Sequence, residues 1–266
     1  MWVERTKDHH IMNHRSLSSR FLLAWAVIAC ASAQADTIKV LTTGAFKQVV
    51  VALAPGYEAK TGHKLEIQND TAGALSKRIA EGETFDVLVL TPAGLQTLAI
   101  RGVVDARSIT PLAKVAIGVA VKAGGAKPAI ATVEEFKQAL VQAKHVAFID
   151  PQSGGSSGIY LDQLFQRMGL SDVIRPKAVL VPGGLVAERL VSGQADLAIH
   201  QISEILPVHG ADLVGPLPEA IQNYTYYAVA LSTRSQQSPA AKAFMAMLSQ
   251  KETAEVIRSK GMMPSP

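Results

Sequence analysis

A chain of 266 residues with a formal charge of only +4 and 18% charged residues carries no nucleic-acid footprint, because such proteins gather Lys and Arg into a dense basic face. Its single cysteine, Cys30, excludes an intrachain disulfide and any cysteine-rich metal centre. At this length a core forms without such staples, and the chain has room for two lobes.

The segment 1–35 reads as an export signal. Arg5, Lys7, Arg15 and Arg20 make a basic lead, and FLLAWAVIACA (Phe21 to Ala31) is an apolar core too short to span a membrane as a helix. Ala31-Ser32-Ala33 and Ala33-Gln34-Ala35 are both small-residue cleavage sites, so cleavage after Ala33 or after Ala35 is open. The long lead keeps both Met1 and Met12 as starts. Val27-Ile28-Ala29-Cys30 resembles a bacterial lipoprotein box, which offers a tether through Cys30 as the alternative to a free periplasmic protein. No later apolar run is long enough to cross a membrane as a helix.

TIKVL (Thr37 to Leu41) predicts a first strand, and Thr42-Thr43-Gly44-Ala45 a bare loop. Phe46, Val49, Val50, Leu53 and Ala54 form a helical stripe that Thr61-Gly62 ends. Leu65 to Gln68 is a second strand, Asn69 to Gly73 is again small and polar, and Asn69 and Asp70 read as turn residues. Leu75, Ile79 and Ala80 lie on a helix stopped by Gly82, before the buried strand DVLVL (Asp86 to Leu90). A helix over Ala93 to Ile100 and a strand over Val115 to Val121 follow. Thr132 is the N-cap of a helix with Phe136, Ala139 and Leu140 on its core face.

His145 to Ile149 is a buried strand stopped by Asp150-Pro151, since proline has no N–H to give a sheet. Gln152 to Gly158 then predicts a loop almost without side chains, and Ile159, Leu161, Leu164, Phe165 and Met168 a helix. Ala178 to Val181, Pro182-Gly183-Gly184 and a helix from Leu185 to Gly193 repeat the form. Asp196 to Ile199 is a strand leading into His200-Gln201. Tyr226 to Leu231 is a strand, and Ala240 to Leu248 and Thr253 to Lys260 are closing helices.

Four units thus run strand, bare loop, helix, with loops centred at Gly44, Gly73, Ser156 and Gly184. The alternation predicts parallel sheets, and ligands of open α/β sheets sit at the carboxyl ends of the strands, where these loops are. Helix starts expose unpaired N–H groups and a positive dipole end, so the natural guest is a small anion. Thr42, Thr43 and Thr71 are hydroxyl-bearing candidates to contact it, or else N-caps. No dinucleotide or phosphate-loop motif is present, and His9, His10 and His14 fall in the export segment, so no cofactor and no metal is expected.

With Pro55-Gly56-Tyr57-Glu58, Thr61-Gly62, Asp150-Pro151, Ser157-Gly158-Ile159-Tyr160 and Gly193 to Ile199 in that order, the mature chain resembles the periplasmic molybdate-binding-protein family of solute-binding proteins. The resemblance implies an α/β, two-lobed type II periplasmic binding protein fold, each lobe a mostly parallel sheet flanked by helices, with a cleft between. Lobe 1 is then 36–114 with 226–266, and lobe 2 is 115–225. It implies a monomer that captures a small anion in the periplasm for an ABC permease. The positions that touch ligand in the family fall on Ala45, Ala72, Ser157, Gly184 and Gln201. The first two are normally serine and the last tyrosine, which turns the reading from a metal oxyanion toward an organic carboxylate. Gly44, Ser156, Gly158 and Tyr160 complete the candidate set.

A narrower resemblance joins the VLTTGA region, Ser157 to Leu161, Gln201-Ile202-Ser203-Glu204 and Ser238 to Ala241 to the bacterial aconitate isomerases. It implies an alternative activity, interconversion of trans- and cis-aconitate by allylic proton transfer. That chemistry needs a base and an acid, and the candidates are His200, Glu204 and Tyr160. His200 is expected after its strand, at the cleft mouth, as a proton carrier or a hydrogen-bonded hinge residue. Lys47, Lys77 and Arg78, just inside two helices, are candidate cations for a tricarboxylate.

Overall fold

A computed structural model describes residues 1, 2 and 35–265. The basic lead, apolar core and Cys30 of the expected export signal lie outside them. In chain order the elements are β1 (Thr37–Thr43), α1 (Gly44–Thr61), β2 (Lys64–Asp70), α2 (Ala72–Ala80), β3 (Val87–Leu90), α3 (Pro92–Ile100) and β4 (Thr110–Lys122). Then come α4 (Val133–Gln142), β5 (Val146–Ile149), α5 (Ser156–Arg167), α6 (Ser171–Ile174), β6 (Ala178–Val181), α7 (Glu188–Val191) and β7 (Leu197–Gln201). The chain closes with α8 (Ile202–Ile205), β8 (Ala211–Pro216), β9 (Tyr224–Leu231), α9 (Pro239–Leu248), α10 (Thr253–Ser259) and β10 (Met263–Pro264).

Local chemistry sets most of these ends. Thr132 caps α4, and Glu135 returns its carboxylate to the Thr132 N–H, which satisfies two orphan donors at once. Gly62 leaves α1 at φ 76°, a left-handed turn that glycine enters without a Cβ clash, and its N–H donates to Glu58 O. The loops read as bare are largely first turns of helices. Thr43 already holds extended backbone and Gly44 opens α1 directly. Likewise α5 starts at Ser156, so Ser156, Ser157 and Gly158 are helical rather than loop. The helix expected from Leu185 shrinks to α7, Glu188–Val191. Strand β7 runs on through His200 and Gln201.

The strands form one hydrogen-bonded order, β2-β1-β3-β9-β4-β7-β5-β6, with β8 and β10 also on β4. Strands β1, β2 and β3 pair in parallel, as do β5, β6 and β7, in line with the strand–helix alternation. The middle is antiparallel: β9 runs against β3 and β4, and β4 against β7 and β8. The reason is topological. Strand β4 carries the chain out into the second lobe and β9 brings it back, so the two lie side by side in opposite directions. Up to Ala116, β4 pairs with β9; from Ile117 it pairs with β7. At that switch the Gln222 side chain stands in for a strand neighbour. Ile117 N–H donates to its Oε1 at 2.9 Å, and its Nε2 donates to Ile117 O at 3.0 Å and Leu217 O at 3.2 Å.

Both sheet faces are covered. In the first lobe Val40, Val87 and Val89 pack with Phe46, Val49 and Phe244 on one face, while Leu41, Leu88 and Leu90 meet Leu75, Ile79 and Leu95 on the other. The second lobe repeats this, with Phe136, Leu161 and Phe165 on one side and Val186, Ala187 and Leu190 on the other. Strands buried on both faces need continuous apolar runs, which VLVL and VAFI supply. The fold is the mixed α/β, two-lobed one expected of a type II periplasmic binding protein.

Candidate anion-binding cleft

The carboxyl ends of β1, β2, β5 and β7 converge on one cavity of about 40 Å³. Thr43, Gly44 and Ala45 line it at the β1–α1 junction, and Asn69, Asp70, Thr71 and Ala72 at the β2–α2 junction. The second lobe contributes Ile149, Gly155, Ser156, Ser157, Gly184, His200, Gln201 and Glu204, and Tyr227 of β9 closes the ring. Of the residues named from sequence, Thr43, Gly44, Ala45, Thr71, Ala72, Ser156, Ser157, Gly184, His200, Gln201 and Glu204 thus come together.

Three helix starts face this space in different states. At α2, the Thr71 hydroxyl accepts from Ala74 N and so caps the helix. At α1 no side chain caps the first turn, and the buried Thr43 hydroxyl has no partner among the described residues. At α5 the N-cap is Gly155, which has no side chain to offer. The last two starts therefore keep orphan N–H donors and the positive end of a dipole at the cavity.

The lobes touch beside the cavity. Gly73 N–H donates to Gly154 O at 3.0 Å, and Thr71 Oγ1 donates to Ser153 O at 2.5 Å. The glycines meet back to back: a Cβ on either would sit 2.6 Å from the other's Cα. No larger residue permits this approach.

Among the described residues, no lysine or arginine lines the cavity. Lys77 extends outward near Glu81, and Lys47 is not on the lining. Arg78 is drawn away by Glu83, whose carboxyl its guanidinium holds down at about 2, and it also reaches Asp70 Oδ2 at 3.4 Å. Asp70 lines the cavity and is thereby offset. Glu204 is not. Its carboxyl lies over Gly44, where a side chain would collide with it, and beside it is the imidazole of His200, Nε2 to Oε2 3.3 Å. Both side chains are buried, and burial disfavours charge on each. The imidazole is pushed down to about 3 and the carboxyl up to about 8, so the proton stays on Glu204 although the distance alone would suit an ion pair. His200 Nδ1 has no partner among the described residues.

Gln201 is fixed at both ends. Its Nε2 donates to Thr225 Oγ1 at 2.9 Å, and Tyr227 OH donates to its Oε1 at 2.9 Å. Burial pushes the Tyr227 phenol well above its usual range, so it acts as a neutral donor.

Four expectations are corrected. Thr42 lies one residue off the lining, on the opposite side of β1, and its hydroxyl donates to Thr43 O at 3.1 Å. Gly158 packs against the Ile149 carbonyl inside α5. Tyr160 lies a turn further along that helix, its OH donating to Ile221 O at 2.7 Å and its ring under Arg167. His200 is within β7, opposite Gly118 and 2% exposed, so it sits at the cleft floor and not its mouth. Sequence reasoning missed Asn69, Asp70, Ile149, Gly155 and Tyr227. A tyrosine inside the apolar run YYAVAL was the available signal for the last, because a buried phenol needs a partner.

The family described as bacterial extracellular solute-binding proteins matches residues 38–263. The chain belongs to that family. An aconitate isomerase from a Pseudomonas species is 35% identical to this solute-binding protein over 236 residues, 86% of this chain and 88% of that one. A molybdate-binding protein from Azotobacter vinelandii is 25% identical over 254 residues, 90% and 94% of the two chains. The solved structure of an Azotobacter vinelandii periplasmic molybdate-binding protein superposes with a TM-score of 0.70 at 20% identity, covering 86% of this chain and all of that one. That likeness is one of overall fold.

Proposed function

We propose that this solute-binding protein, exported by its N-terminal segment to the periplasm, captures a small carboxylate anion between its lobes as a monomer and hands it to an ABC permease. Residues 36–114 and 226–266 are one lobe and 115–225 the other. One observation carries the reading: among the described residues, uncapped starts of α1 and α5, with an unpartnered Thr43 hydroxyl, surround a cavity without a lysine or arginine. Such a site holds an anion with dipoles and N–H groups. Alanine at positions 45 and 72, where the molybdate-binding proteins it resembles use serine, favours a carboxylate over a tetrahedral metal oxyanion. A cavity of about 40 Å³ admits only a few waters, so the lobes part to admit the ligand. The experiment is titration calorimetry of residues 36–266 with trans-aconitate, sulfate and molybdate. Saturable binding of trans-aconitate is expected, and binding of none of the three refutes the reading.

A second reading, isomerisation of aconitate, is favoured by the buried His200–Glu204 pair and by the 35% identical aconitate isomerase. Proton removal next to a carboxylate and return at the far end of the allyl system need a base and an acid, and His200 and Glu204, adjacent on the cavity wall, are the candidate pair to exchange that proton. Tyr160 has no part in it, since its hydroxyl is committed to Ile221 O. A proton NMR time course with trans-aconitate in heavy water tests this. Growth of deuterated cis-aconitate supports it, and an unchanged spectrum leaves the binding protein. If the pair is catalytic, His200→Gln and Glu204→Gln each abolish turnover while binding stays within tenfold.

A further inference from the structure

Two acids line the cleft, and they differ in how their charge is met. Asp70 accepts from Thr71 N–H and faces Arg78. Glu204 has His200 beside it and, among the described residues, no lysine or arginine on the shared lining. Helix α8, which carries Glu204, packs on α1, β4, β7 and β8. The titratable groups that share the cavity with Glu204 are His200 of β7, Asp70 of β2 and Tyr227 of β9. Lys47 of α1, Lys114 and Lys122 of β4, and Asp212 of β8 are off its lining.

The proton count on this pair decides what an incoming anion meets. With Glu204 ionised and the imidazole neutral, Nε2–H turns to the carboxylate and Nδ1 presents a bare lone pair. An anion then faces a negative carboxyl and an acceptor, and both repel it. One further proton changes this wherever it rests. On Oε2 it is donated to Nε2, and the imidazole keeps its hydrogen on Nδ1. On Nε2 it makes an imidazolium with hydrogens on both nitrogens. Either way the pair is neutral overall and Nδ1 becomes a donor. That nitrogen is buried and unpartnered, like the Thr43 hydroxyl.

We propose that anion capture takes up one solvent proton on the His200–Glu204 pair, and that the resulting Nδ1–H of His200 is one of the anion's donors. The inference rests on the anion-binding reading and adds to it a proton stoichiometry and a ligand contact. The upward push on Glu204 from burial agrees in direction. With the lobes parted and the pair hydrated, a carboxyl near 4.3 and an imidazole near 6.5 hold little of that proton above pH 7. The proton therefore enters as the cleft closes on the anion.

The test is calorimetry of residues 36–266 at pH 8 with trans-aconitate, sulfate and molybdate, each in Tris and in HEPES. These probes are fully ionised at that pH, so none brings a proton of its own. The buffer difference is expected to report about one proton taken up per bound anion, and affinity to fall about tenfold between pH 7 and pH 8. In Glu204→Gln the amide donates to Nε2 without any proton, so uptake drops toward zero and affinity becomes flat with pH. The nitrogen-15 shift of His200 in the complex is expected to show a protonated Nδ1. Binding without proton uptake overturns this inference and leaves the anion-binding reading intact. Failure of all three probes to bind overturns both. If Glu204→Gln does not fold, the two-buffer comparison on the unsubstituted protein decides alone.

Discussion

Gly73→Ala tests whether the contact between the lobes holds the cleft shut. Gly73 is the second residue of α2, where alanine fits the backbone and gains up to about 1 kcal/mol of helix propensity. Its Cβ, however, would sit 2.6 Å from Gly154 Cα and 3.2 Å from Gly154 O, where ordinary contact begins at 3.4 Å. Both neighbours are backbone and cannot rotate away, so the lobes must separate by about 0.8 Å or more to restore ordinary contact. The Gly73–Gly154 bond, now 3.0 Å, stretches past useful length, and the Thr71–Ser153 bond weakens with it. At about 0.5–1.5 kcal/mol each, their loss removes about 1–3 kcal/mol from the closed arrangement alone. The closed-to-open ratio falls roughly 5- to 150-fold. Spin labels on exposed Glu81 and Gln152 report the separation, and stopped-flow dissociation of bound trans-aconitate reports the ratio. A longer mean distance, faster release and an unchanged melting temperature are expected. An unchanged distance distribution together with an unchanged release rate would refute the reasoning.

Glu204→Gln is expected to change how closure depends on pH. Burial raises the Glu204 carboxyl to about 8 from an ordinary value of 4.5, so in the unsubstituted protein the closed arrangement, in which Glu204 is buried, loses stability relative to the open one as pH rises through that window. The variant lacks this loss, so the closed fraction read from the Glu81–Gln152 distance distribution should fall from pH 5 to pH 8 in the unsubstituted protein and stay level in the variant; the same fall in both would count against a buried neutral acid. Thr43→Val removes a buried hydroxyl that has no protein partner. Stability should hold or rise, while affinity for trans-aconitate falls about tenfold; unchanged affinity would remove Thr43 from the site. Gln222→Leu strips three hydrogen bonds from the strand switch at Ile117 and Leu217. The urea midpoint should drop by an amount equal to about 1–3 kcal/mol, and an unaltered midpoint would show that water replaces the amide there.

Much of this protein is written in short stretches of chain. TIKVL, DVLVL, HVAFI and YYAVAL became strands because each is an apolar run bounded by residues that stop a sheet, and burial on both faces asks for nothing more. Thr132 and Gly62 set helix ends through bonds to residues three and four positions away. The β1–α1 and β5–α5 junctions marked the cleft because a helix start without a side-chain cap is a local property. These features depend on neighbours in sequence, so the sequence alone determines them, together with the two-lobed α/β class.

The rest depends on neighbours far away in the chain. Strand β8 reads as an unremarkable ADLVGP, and pairing with β4 makes it a strand. Tyr160 and Thr42 carry the right groups but point elsewhere, since one residue along a strand or one turn along a helix moves a side chain off the site. Tyr227 comes to Gln201 across 26 positions, and Gly73 to Gly154 across the cleft. His200 and Glu204 are four residues apart, yet what matters about them, the shift of each away from its ordinary charge, arises from the two lobes burying them together. Sequence names the groups; their protonation and the cleft's dependence on glycine follow from desolvation and close backbone approach, which exist only once the distant segments are packed.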